Sequence, residues 1–501
     1  MIVNKILIPD DIHINKKNYN SIFEFVKHKH INLIFYNDFE HIKSLYGNYK
    51  EYKYLFSEEF NLLKKMDINE LYEYKFYGKN IFGLAKSELL SLLISFDNWN
   101  NFNIPNDNFF IFKKAFNENK EELLLNLSAS IFWLKYWKKI FNSNKKNLNK
   151  SIALVFSGSL IYSKTFSFFL ENTSVKVFKT EHFFTGYDFY FEEKYEHIAN
   201  NSDIRFKNVY DMKFNELISK NNFIHDKKIA IKKIIEGKNK NVIQPENTFD
   251  EIFNNNKKNV LILGQVINDF SILESNLNYI NSSAFYIELI ENILKNTDYN
   301  IIFKAHPWEN KKINLKKPLT KYIINNYLKK IDQKYLKRII IVENYNLKAL
   351  TDKSEFIVGL SSQSLLEAGF YSYKKVFQFG NAFFGHKGFT YDINIKDIKE
   401  FIKIIKSKNL DTKLNLLEYN LLIEFLTVLL QNHLLSNNSK YFHHNLKLLN
   451  KLFKTKNKNY INLYFLKYFI NENKFNKLIN NPKKFFNDSN NFFIKKIAKL
   501  I

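Results

Sequence analysis

The chain of 501 residues is longer than one hydrophobic core usually supports, so two or three domains are expected. Hydrophobic residues make up 45% of it and cysteine is absent, which excludes disulfides, thiol nucleophiles and cysteine metal sites and fits a reducing cytoplasm. The net charge of +25 rests almost wholly on lysine, because Arg205 and Arg338 are the only arginines. Readout of bases depends largely on arginine, so sequence-specific binding of nucleic acid is not expected.

The first 235 residues are predicted to form a Rossmann-like domain with a helical insertion. Strands are expected at residues 5–9 and 31–36, and residues from about 56 to 147 look mainly helical. From Ser151 the sequence alternates strand, short helix and strand as far as Glu181. Such alternation is typical of a parallel sheet wrapped by helices. The start of the chain lacks the pattern of a secretory signal, and no stretch approaches the roughly 18 apolar residues of a membrane span, so a cytoplasmic protein is expected.

A candidate catalytic segment follows at residues 181–205. Glu181 is expected at the end of its strand, and Thr185-Gly186 permits a turn that projects Asp188 into a cleft. Either carboxylate could act as a general base or stabilise positive charge on a sugar. A polar surface loop without a catalytic role is the alternative interpretation of this segment.

A second Rossmann-like domain is predicted over residues 258–410, after a polar linker at 236–257. Its first strand leads into a loop that exposes Gln265 and Asp269.

The next predicted strand of this domain ends in Lys304, Ala305, His306 and Pro307. Pro307 favours an extended conformation at His306, so Lys304 and His306 are expected on one face. Two donors at the carboxyl edge of a sheet suit a phosphate or an acidic sugar.

Residues 356–392 are predicted to form a strand, a helix and a second strand. Ser361 and Ser362 lie at the strand-to-helix turn, where a serine caps the helix and the first-turn N–H groups are left for an anion. Glu367 follows about a turn and a half later, where it could reach a ribose hydroxyl. The pattern suits a nucleotide-sugar pocket, and an ordinary capped crossover helix is the alternative. A glycine-rich loop after the second strand adds three predicted cleft residues, His386, Lys387 and Thr390.

Residues 411–501 are predicted to form a helical, basic tail. From residue 440 onward 14 lysines stand against Glu472 and Asp488, so +12 of the +25 lies there. Leu446, Leu449 and Phe453 recur at helical spacing. Basic amphipathic helices lie on anionic membranes. Alternatively the apolar face packs on the second domain and the lysines are solvated.

Taken in order, the motifs resemble those of bacterial capsule polysaccharide biosynthesis glycosyltransferases, including the Kdo transferases that act on capsule glycolipids. The resemblance covers about residues 150–430. Its motifs are Gly264-Gln265 with Asp269, Lys304 with His306-Pro307, Ser361-Ser362 with Glu367, residues 384–392 and residues 181–201.

The resemblance implies a GT-B arrangement, in which two Rossmann-like domains face each other across a cleft. It also implies a CMP-activated acidic sugar as the donor, with Kdo expected. The phosphate would be held by Lys304, His306, Ser361 and Ser362, and the ribose by Glu367. Gln265 and Asp269 would line the cleft near the sugar, and Glu181 and Asp269 are the candidate catalytic carboxylates.

No metal or cofactor is expected beyond the CMP-sugar itself. Asp-X-Asp, P-loop and dinucleotide motifs are absent from the sequence, and the close histidine pairs at 28/30 and 443/444 lack carboxylates at ligand spacing. The expected partners are a nucleotide-sugar donor, a lipid-linked saccharide acceptor and the anionic inner face of the bacterial cytoplasmic membrane. Three alternatives stay open: a sialyltransferase, a teichoic-acid-type polyol-phosphate transferase, and a lysine-rich scaffold on a membrane or RNA.

Overall fold

The computed structural model describes residues 3–99, 104–144, 148–171, 173–238, 245, 252–253, 255–275, 277, 280–311, 315, 317–407 and 410–454. Within these residues the chain forms two six-stranded sheets and one two-stranded hairpin. The strands are β1 (Lys5–Ile8), β2 (Asn32–Phe35), β3 (Lys75–Phe76), β4 (Lys79–Asn80), β5 (Ser151–Phe156), β6 (Lys176–His182), β7 (Asp188–Glu193), β8 (Asn259–Leu263), β9 (Asn300–Lys304), β10 (Ile339–Val342), β11 (Phe356–Gly359), β12 (Val376–Gln378), β13 (Thr390–Asp392) and β14 (Leu435–Ser436).

The α-helices lie between these strands and cover the sheets. They are α1 (Lys16–Lys29), α2 (Glu40–Lys43), α3 (Ser57–Leu63), α4 (Ile68–Glu73), α5 (Ile81–Leu93), α6 (Asn108–Glu118), α7 (Lys120–Ser143), α8 (Ile161–Glu171), α9 (Lys207–Ile218), α10 (Phe223–Ile235), α11 (Phe270–Leu273), α12 (Ser282–Asn296), α13 (Leu319–Leu328), α14 (Gln333–Leu336), α15 (Leu347–Asp352), α16 (Gln363–Ser372), α17 (Ile398–Ile405), α18 (Leu416–Asn432) and α19 (Phe442–Lys454).

The first sheet has the order β14-β7-β6-β5-β1-β2. Strands β2, β1, β5 and β6 are parallel, whereas β7 and β14 run antiparallel to their neighbours. Successive residues of β1 face opposite sides, so Ile6 packs with α1 and α19 and Leu7 packs with the helices inserted after β2. The predicted helical character of residues 56–147 is confirmed, with α3 to α7 in this interval.

The second sheet has the order β10-β9-β8-β11-β12-β13 and is parallel throughout. Its strands are apolar on both faces, because helices cover both sides. Val260 and Ile262 join one core cluster, and Leu261 and Leu263 join another. The chain is therefore a mixed α/β protein built on two largely parallel sheets. The predicted linker at 236–257 lies almost entirely outside the described residues.

Residues 188–193 differ from the prediction. A turn at Thr185-Gly186 was expected to project Asp188 into a cleft, with a polar surface loop as the alternative, but the stretch DFYFEE pairs with β6 as strand β7. Asp188 is only 1% exposed. Its Oδ1 accepts a hydrogen bond from Lys233 Nζ at 2.9 Å and its Oδ2 accepts one from Thr185 Oγ1 at 2.7 Å. A buried carboxylate needs such partners, so Asp188 has a structural role here.

Residues 411–454 do not form the separate tail that was predicted. Helix α18 is largely buried and packs against α9 and α10, and β14 completes the edge of the first sheet beside β7. In α19 the apolar side chains Leu449 and Phe453 enter the core beneath the first sheet, so this face is not available to a membrane. Residues 455–501 lie outside the described part of the chain. None of the helices in the described ranges is long and apolar enough to cross a bilayer.

Replacing Phe453 with alanine is expected to lower the free energy of unfolding by about 3–5 kcal/mol. The Phe453 ring centroid lies 5.3 Å from that of Phe25, 5.7 Å from that of Phe178 and 6.3 Å from that of Phe191. Loss of this ring therefore opens a cavity in the apolar cluster between the first sheet, α1 and α19, which we call the first core. Urea unfolding measures the change. The exposed Lys447→Ala on the same helix is the control and should stay within about 0.5 kcal/mol of wild type. Equal stability of the two variants would contradict the packing of α19.

Candidate active site

A cavity of about 360 Å³ lies between the two sheets, at the carboxyl ends of their parallel strands. Open α/β sheets bind ligands at this edge, because helix N-termini and loops meet there. Residues at the carboxyl ends of β1, β5 and β6, or in the loops that follow them, form what we call the first-sheet wall: His13, Phe156, Ser157, Glu181 and His182. The residues that follow β8, β9 and β11 form the second-sheet wall: Gln265, Asp269, Lys304, His306, Ser361, Ser362 and Glu367.

Glu181 is the principal carboxylate of the first-sheet wall. It occupies the penultimate position of β6, and its Oε1 accepts the N–H of His182 at 3.0 Å. Burial raises the pKa of Glu181 to about 7, with the negative charge of Asp269 adding to the rise and the His182 N–H and His13 opposing it. Glu181 is thus poised to exchange a proton near neutral pH, which is typical of functional carboxylates in clefts.

Asp269 faces the same space from the second-sheet wall. Its side chain accepts the N–H of Ser271 at 2.8 Å, which caps the short helix α11 and fixes the carboxylate in place. The electrostatic effect of Asp269 on Glu181 places the two predicted catalytic carboxylates in one site, although they lie on different sheets.

Gln265 lines the cavity as predicted, but its amide is used inside the protein. Its Nε2 donates to Ser271 Oγ at 2.5 Å, and its Oε1 accepts the N–H of Ser361 at 3.3 Å. Tyr286 Oη accepts the backbone N–H of Gln265 at 2.8 Å. Gln265 therefore ties the β8 loop to the β11 loop and sets their spacing.

His306 presents a hydrogen-bond donor at the end of β9. Its Nδ1 accepts the N–H of Trp308 at 3.2 Å, so the neutral ring carries its proton on Nε2. Nearby, Lys304 Nζ donates to the carbonyl oxygens of Glu343 and Tyr345, both at 2.9 Å. Burial lowers the pKa of Lys304 to about 8, and the charges of Glu367 and Glu343 oppose this shift.

Helix α16 starts at the cavity with Ser362 as its N-cap. Ser362 Oγ accepts the N–H of Ser364 at 3.3 Å, as the sequence predicted for a serine at this turn. Glu367 lies one and a half turns further along the helix. Burial raises the pKa of Glu367 to about 7, although the positive charge of Lys304 opposes this rise. Gln363 in the same turn joins the two walls, because its Oε1 accepts the N–H of Phe184 at 2.9 Å and its Nε2 donates to the His182 carbonyl at 3.3 Å.

Two of the longer helices whose N-termini lie at the cavity, α8 and α16, differ in what they offer an anion. At α8, Glu88 Oε2 accepts the first N–H, that of Ile161, at 2.7 Å, so a carboxylate of the protein already occupies this end. At α16 the cap comes from a neutral serine. The positive end of the α16 dipole is therefore the one suited to a bound anion.

Four predicted cleft residues lie outside the lining of the cavity. Asp188 is buried against Lys233, as described above. His386 donates its backbone N–H to Asp392 Oδ2 at 2.9 Å, Thr390 Oγ1 donates to Asp392 Oδ1 at 2.8 Å, and Lys387 Nζ donates to the Arg205 carbonyl at 3.0 Å. Phe383 of this loop lines the cavity, but the three predicted residues do not, because Thr390 begins strand β13, which pairs with β12 and holds the end of the loop at the sheet edge.

The sequence reasoning missed His13, which lines the cavity directly after β1. The available signal was its position, because PDDIH follows the first predicted strand and the carboxyl ends of parallel strands converge. As for metals, the described ranges contain no group of three or more His, Asp or Glu side chains that could hold a metal ion.

Of three comparisons with known proteins, the match to a protein family indicates a role in polysaccharide synthesis. The family described as "Capsule polysaccharide biosynthesis protein" matches residues 165–424, which is just over half of the chain. Among solved structures, the chain is similar to the KpsC beta Kdo 2,4 transferase of Thermosulfurimonas dismutans, with 15% identity and a TM-score of 0.34 over 56% of this chain and 78% of that one. No curated protein matches the chain.

Proposed function

Because the chain belongs to the capsule polysaccharide biosynthesis family, we propose that it is a GT-B-type glycosyltransferase that transfers an acidic sugar, with Kdo as the candidate, from a CMP-sugar to a saccharide acceptor. One observation carries the proposal. The cavity has hydrogen-bond donors for an anion on the second-sheet wall, and it has a carboxylate on each wall, Glu181 and Asp269, that a bound sugar would contact. The two sheets and the cavity between their carboxyl ends are what a GT-B cleft requires.

The CMP moiety is assigned to the second-sheet wall. His306 Nε2–H, the Ser361 and Ser362 hydroxyls and the N-terminus of α16 would contact the phosphate. Glu367 would accept hydrogen bonds from the ribose hydroxyls. Lys304 lies on the same wall as Glu367, so it would add positive charge near the bound CMP.

The chemistry separates charge along the bond that breaks. As the bond between the anomeric carbon and the phosphate oxygen lengthens, positive charge grows on the sugar and negative charge grows on CMP. Glu181 and Asp269 would stabilise the sugar, and His306 with the serine hydroxyls would stabilise the departing phosphate. Fixed donors of this kind accelerate a reaction because they are oriented before the charge develops.

Incubating the purified protein with CMP-Kdo, CMP-sialic acid and UDP-sugars tests the proposal through release of the nucleotide. We expect CMP release from an acidic CMP-sugar and a rise in melting temperature with CMP. Release of UDP alone, or stabilisation by UDP and not by CMP, would contradict the assignment of the donor. CMP-sialic acid in the panel separates a sialyltransferase from a Kdo transferase.

EDTA is expected to leave CMP release within about twofold of the untreated rate. The proposed phosphate site has the N–H and O–H donors of His306, Ser361 and Ser362, the N-terminus of α16 and the positive charge of Lys304 nearby, so it needs no divalent cation to offset the charge of CMP. The assay is CMP release before and after dialysis against EDTA. Activity that EDTA abolishes and Mg²⁺ or Mn²⁺ restores would show that a metal ion takes part.

A lipid-linked acceptor is also proposed, with contact to an anionic membrane through the segment after α19. Residues 455–501 carry ten lysines against Glu472 and Asp488. Deleting them is expected to abolish low-salt binding to vesicles that contain anionic lipid and to leave the CMP-induced rise in melting temperature intact. Co-sedimentation measures the first effect. Unchanged vesicle binding would contradict the membrane role, and the cut after residue 454 spares α19, which belongs to the first core.

A further inference from the structure

The loop after β1 carries two polar residues that the proposed function does not use: His13, which lines the cavity, and Asp10, which contacts it from inside the protein. Asp10 is fully buried, at 0% exposure. Its Oδ1 accepts the backbone N–H of His13 at 2.9 Å and faces His13 Nδ1 at 3.1 Å, and its Oδ2 accepts the Tyr162 hydroxyl at 2.6 Å. Burial alone would raise the pKa of Asp10, but the hydrogen bonds and charge of His13 and the hydrogen bond from Tyr162 outweigh it and lower that pKa. Asp10 is thus held as a carboxylate.

An ionised Asp10 fixes the tautomer of His13. A carboxylate only accepts hydrogen bonds, so Nδ1 of His13 must carry the ring proton, and Nε2 is left as a hydrogen-bond acceptor. The ring is also held flat against Phe156, with centroids 4.7 Å apart and planes 2° from parallel. His13 lines the cavity on the same wall as Glu181, and the two interact electrostatically.

His306 on the opposite wall has the other tautomer. There Nδ1 accepts the N–H of Trp308, so Nε2 carries the proton of the neutral ring, and His306 lines the cavity. One wall therefore offers a histidine donor suited to an anionic leaving group, and the other offers a histidine acceptor suited to a hydroxyl. A group-transfer site needs both of these functions.

We propose that His13, oriented by Asp10, is the general base that takes the proton of the attacking acceptor hydroxyl. This inference rests on the proposed function and adds an acceptor subsite on the first-sheet wall. In the transfer step the acceptor O–H proton goes to His13 Nε2 and the acceptor oxygen forms a bond to the anomeric carbon. The bond from that carbon to the phosphate oxygen breaks with its electron pair on CMP.

Different surroundings give the carboxyl groups of Glu181 and Asp269 a different role from that of His13. Glu181 and Asp269 line opposite walls of the cavity and interact electrostatically, so both carboxyl groups are assigned to the sugar, and proton removal from the hydroxyl is assigned to His13. The Asp10–His13 pair has the arrangement that makes histidine an effective base in unrelated enzymes, with a buried carboxylate behind Nδ1. Asp10 acts through His13 and is a positioning residue.

CMP release from CMP-Kdo with water as the acceptor provides the test, measured above the uncatalysed background. His13→Ala is expected to lower the rate by at least about 10²-fold and to keep the CMP-induced rise in melting temperature. Added imidazole should restore a measurable part of the rate, because it can occupy the space left beside Phe156. His225→Ala is the matched control, because His225 is exposed on α10. Its rate of CMP release should equal that of the wild type, and added imidazole should not change it.

Asp10→Asn tests the positioning role. On its own it should lower the rate, but in the His13→Ala background it should have little further effect, because the two residues act as one unit. If His13→Ala does not fold, His13→Gln keeps the hydrogen bond to Asp10 and the contact with Phe156 while removing the base, and the same loss of rate is expected.

The possible results separate this inference from the proposed function. A rate within about threefold of wild type in the folded His13 variants overturns the role of His13 and leaves the transferase proposal standing. A loss of rate in His13→Ala that imidazole does not restore also overturns it, because that loss would be structural. If the wild-type protein releases no CMP from CMP-Kdo or CMP-sialic acid, the proposed function fails and this inference fails with it.

Discussion

Replacing His306 with alanine is expected to lower the rate of CMP release by about 10²–10³-fold and to reduce the rise in melting temperature that CMP produces. The Nε2–H of His306 would face the phosphate oxygen on which negative charge grows, because Nδ1 is already engaged with the N–H of Trp308. Loss of this donor removes an interaction that is stronger in the transition state than in the bound donor. The rate should therefore fall more than the affinity for CMP.

Steady-state CMP release and thermal shift with CMP together test this expectation. His443→Ala, at an exposed position of α19, is the control and should behave as wild type in both assays. A His306→Ala variant that keeps its turnover but binds CMP weakly would place His306 in donor binding and not in stabilisation of the leaving group. Unchanged values in both assays would remove His306 from the site.

Glu181→Gln is expected to inactivate the protein and, above pH 7, to stabilise it. Glutamine keeps an oxygen for the N–H of His182 but cannot carry negative charge opposite the sugar, so CMP release should fall by about 10²–10⁴-fold. In the wild type, burial raises the pKa of Glu181 to about 7, from the usual glutamate value of 4.5. The protonated form is thus favoured by folding, and this favourable contribution is complete below about pH 4.5 and disappears as the pH rises through 7.

Glutamine has no such dependence on pH. The variant and the wild type should have similar stability at pH 4, and the variant should gain up to about 3 kcal/mol relative to wild type above pH 7. Urea unfolding at the two pH values measures this difference. A variant that is less stable than wild type at pH 8 would contradict the burial of an uncompensated carboxylate at this position.

Glu192 on the neighbouring strand is the matched control for this test. It is also a buried glutamate, but Lys194 Nζ lies 2.9 Å from it and His433 Nε2 lies 2.7 Å from it. Although burial opposes them, these charges hold the pKa of Glu192 well below its usual range. Glu192→Gln should therefore destabilise the protein near neutral pH, in the opposite direction to Glu181→Gln, because it removes one of the two carboxylates that pair with the buried Lys194 ammonium.

The second-sheet wall was predictable from the sequence because each of its signals is local. A strand, a serine pair and a helix within residues 356–372 specify the cap at Ser362. Likewise His306 follows its strand directly and precedes a proline, so its place at the sheet edge could be read from a few neighbouring residues.

The remaining parts depend on partners that are distant in sequence. Asp188 looked like a loop residue because its ion-pair partner Lys233 lies in a helix 45 residues later. The contacts of the tail could not be predicted locally, because β14 pairs with β7, which lies more than 240 residues earlier in the chain. His13 has no local motif, and its importance appears only when Tyr162 and Phe156 from later elements reach Asp10 and the imidazole ring.

The return of the chain to the first sheet has a consequence for biosynthesis. Strand β7 is an edge strand until β14 has been made, and the ribosome must first complete the entire second sheet. Meanwhile the apolar pocket that will receive Leu449 and Phe453 stands open on the nascent N-terminal half. Unpaired edges and exposed apolar surface promote association between unfinished chains. Products of premature termination before residue 435 should therefore accumulate as aggregates or be degraded, and not as a folded N-terminal fragment.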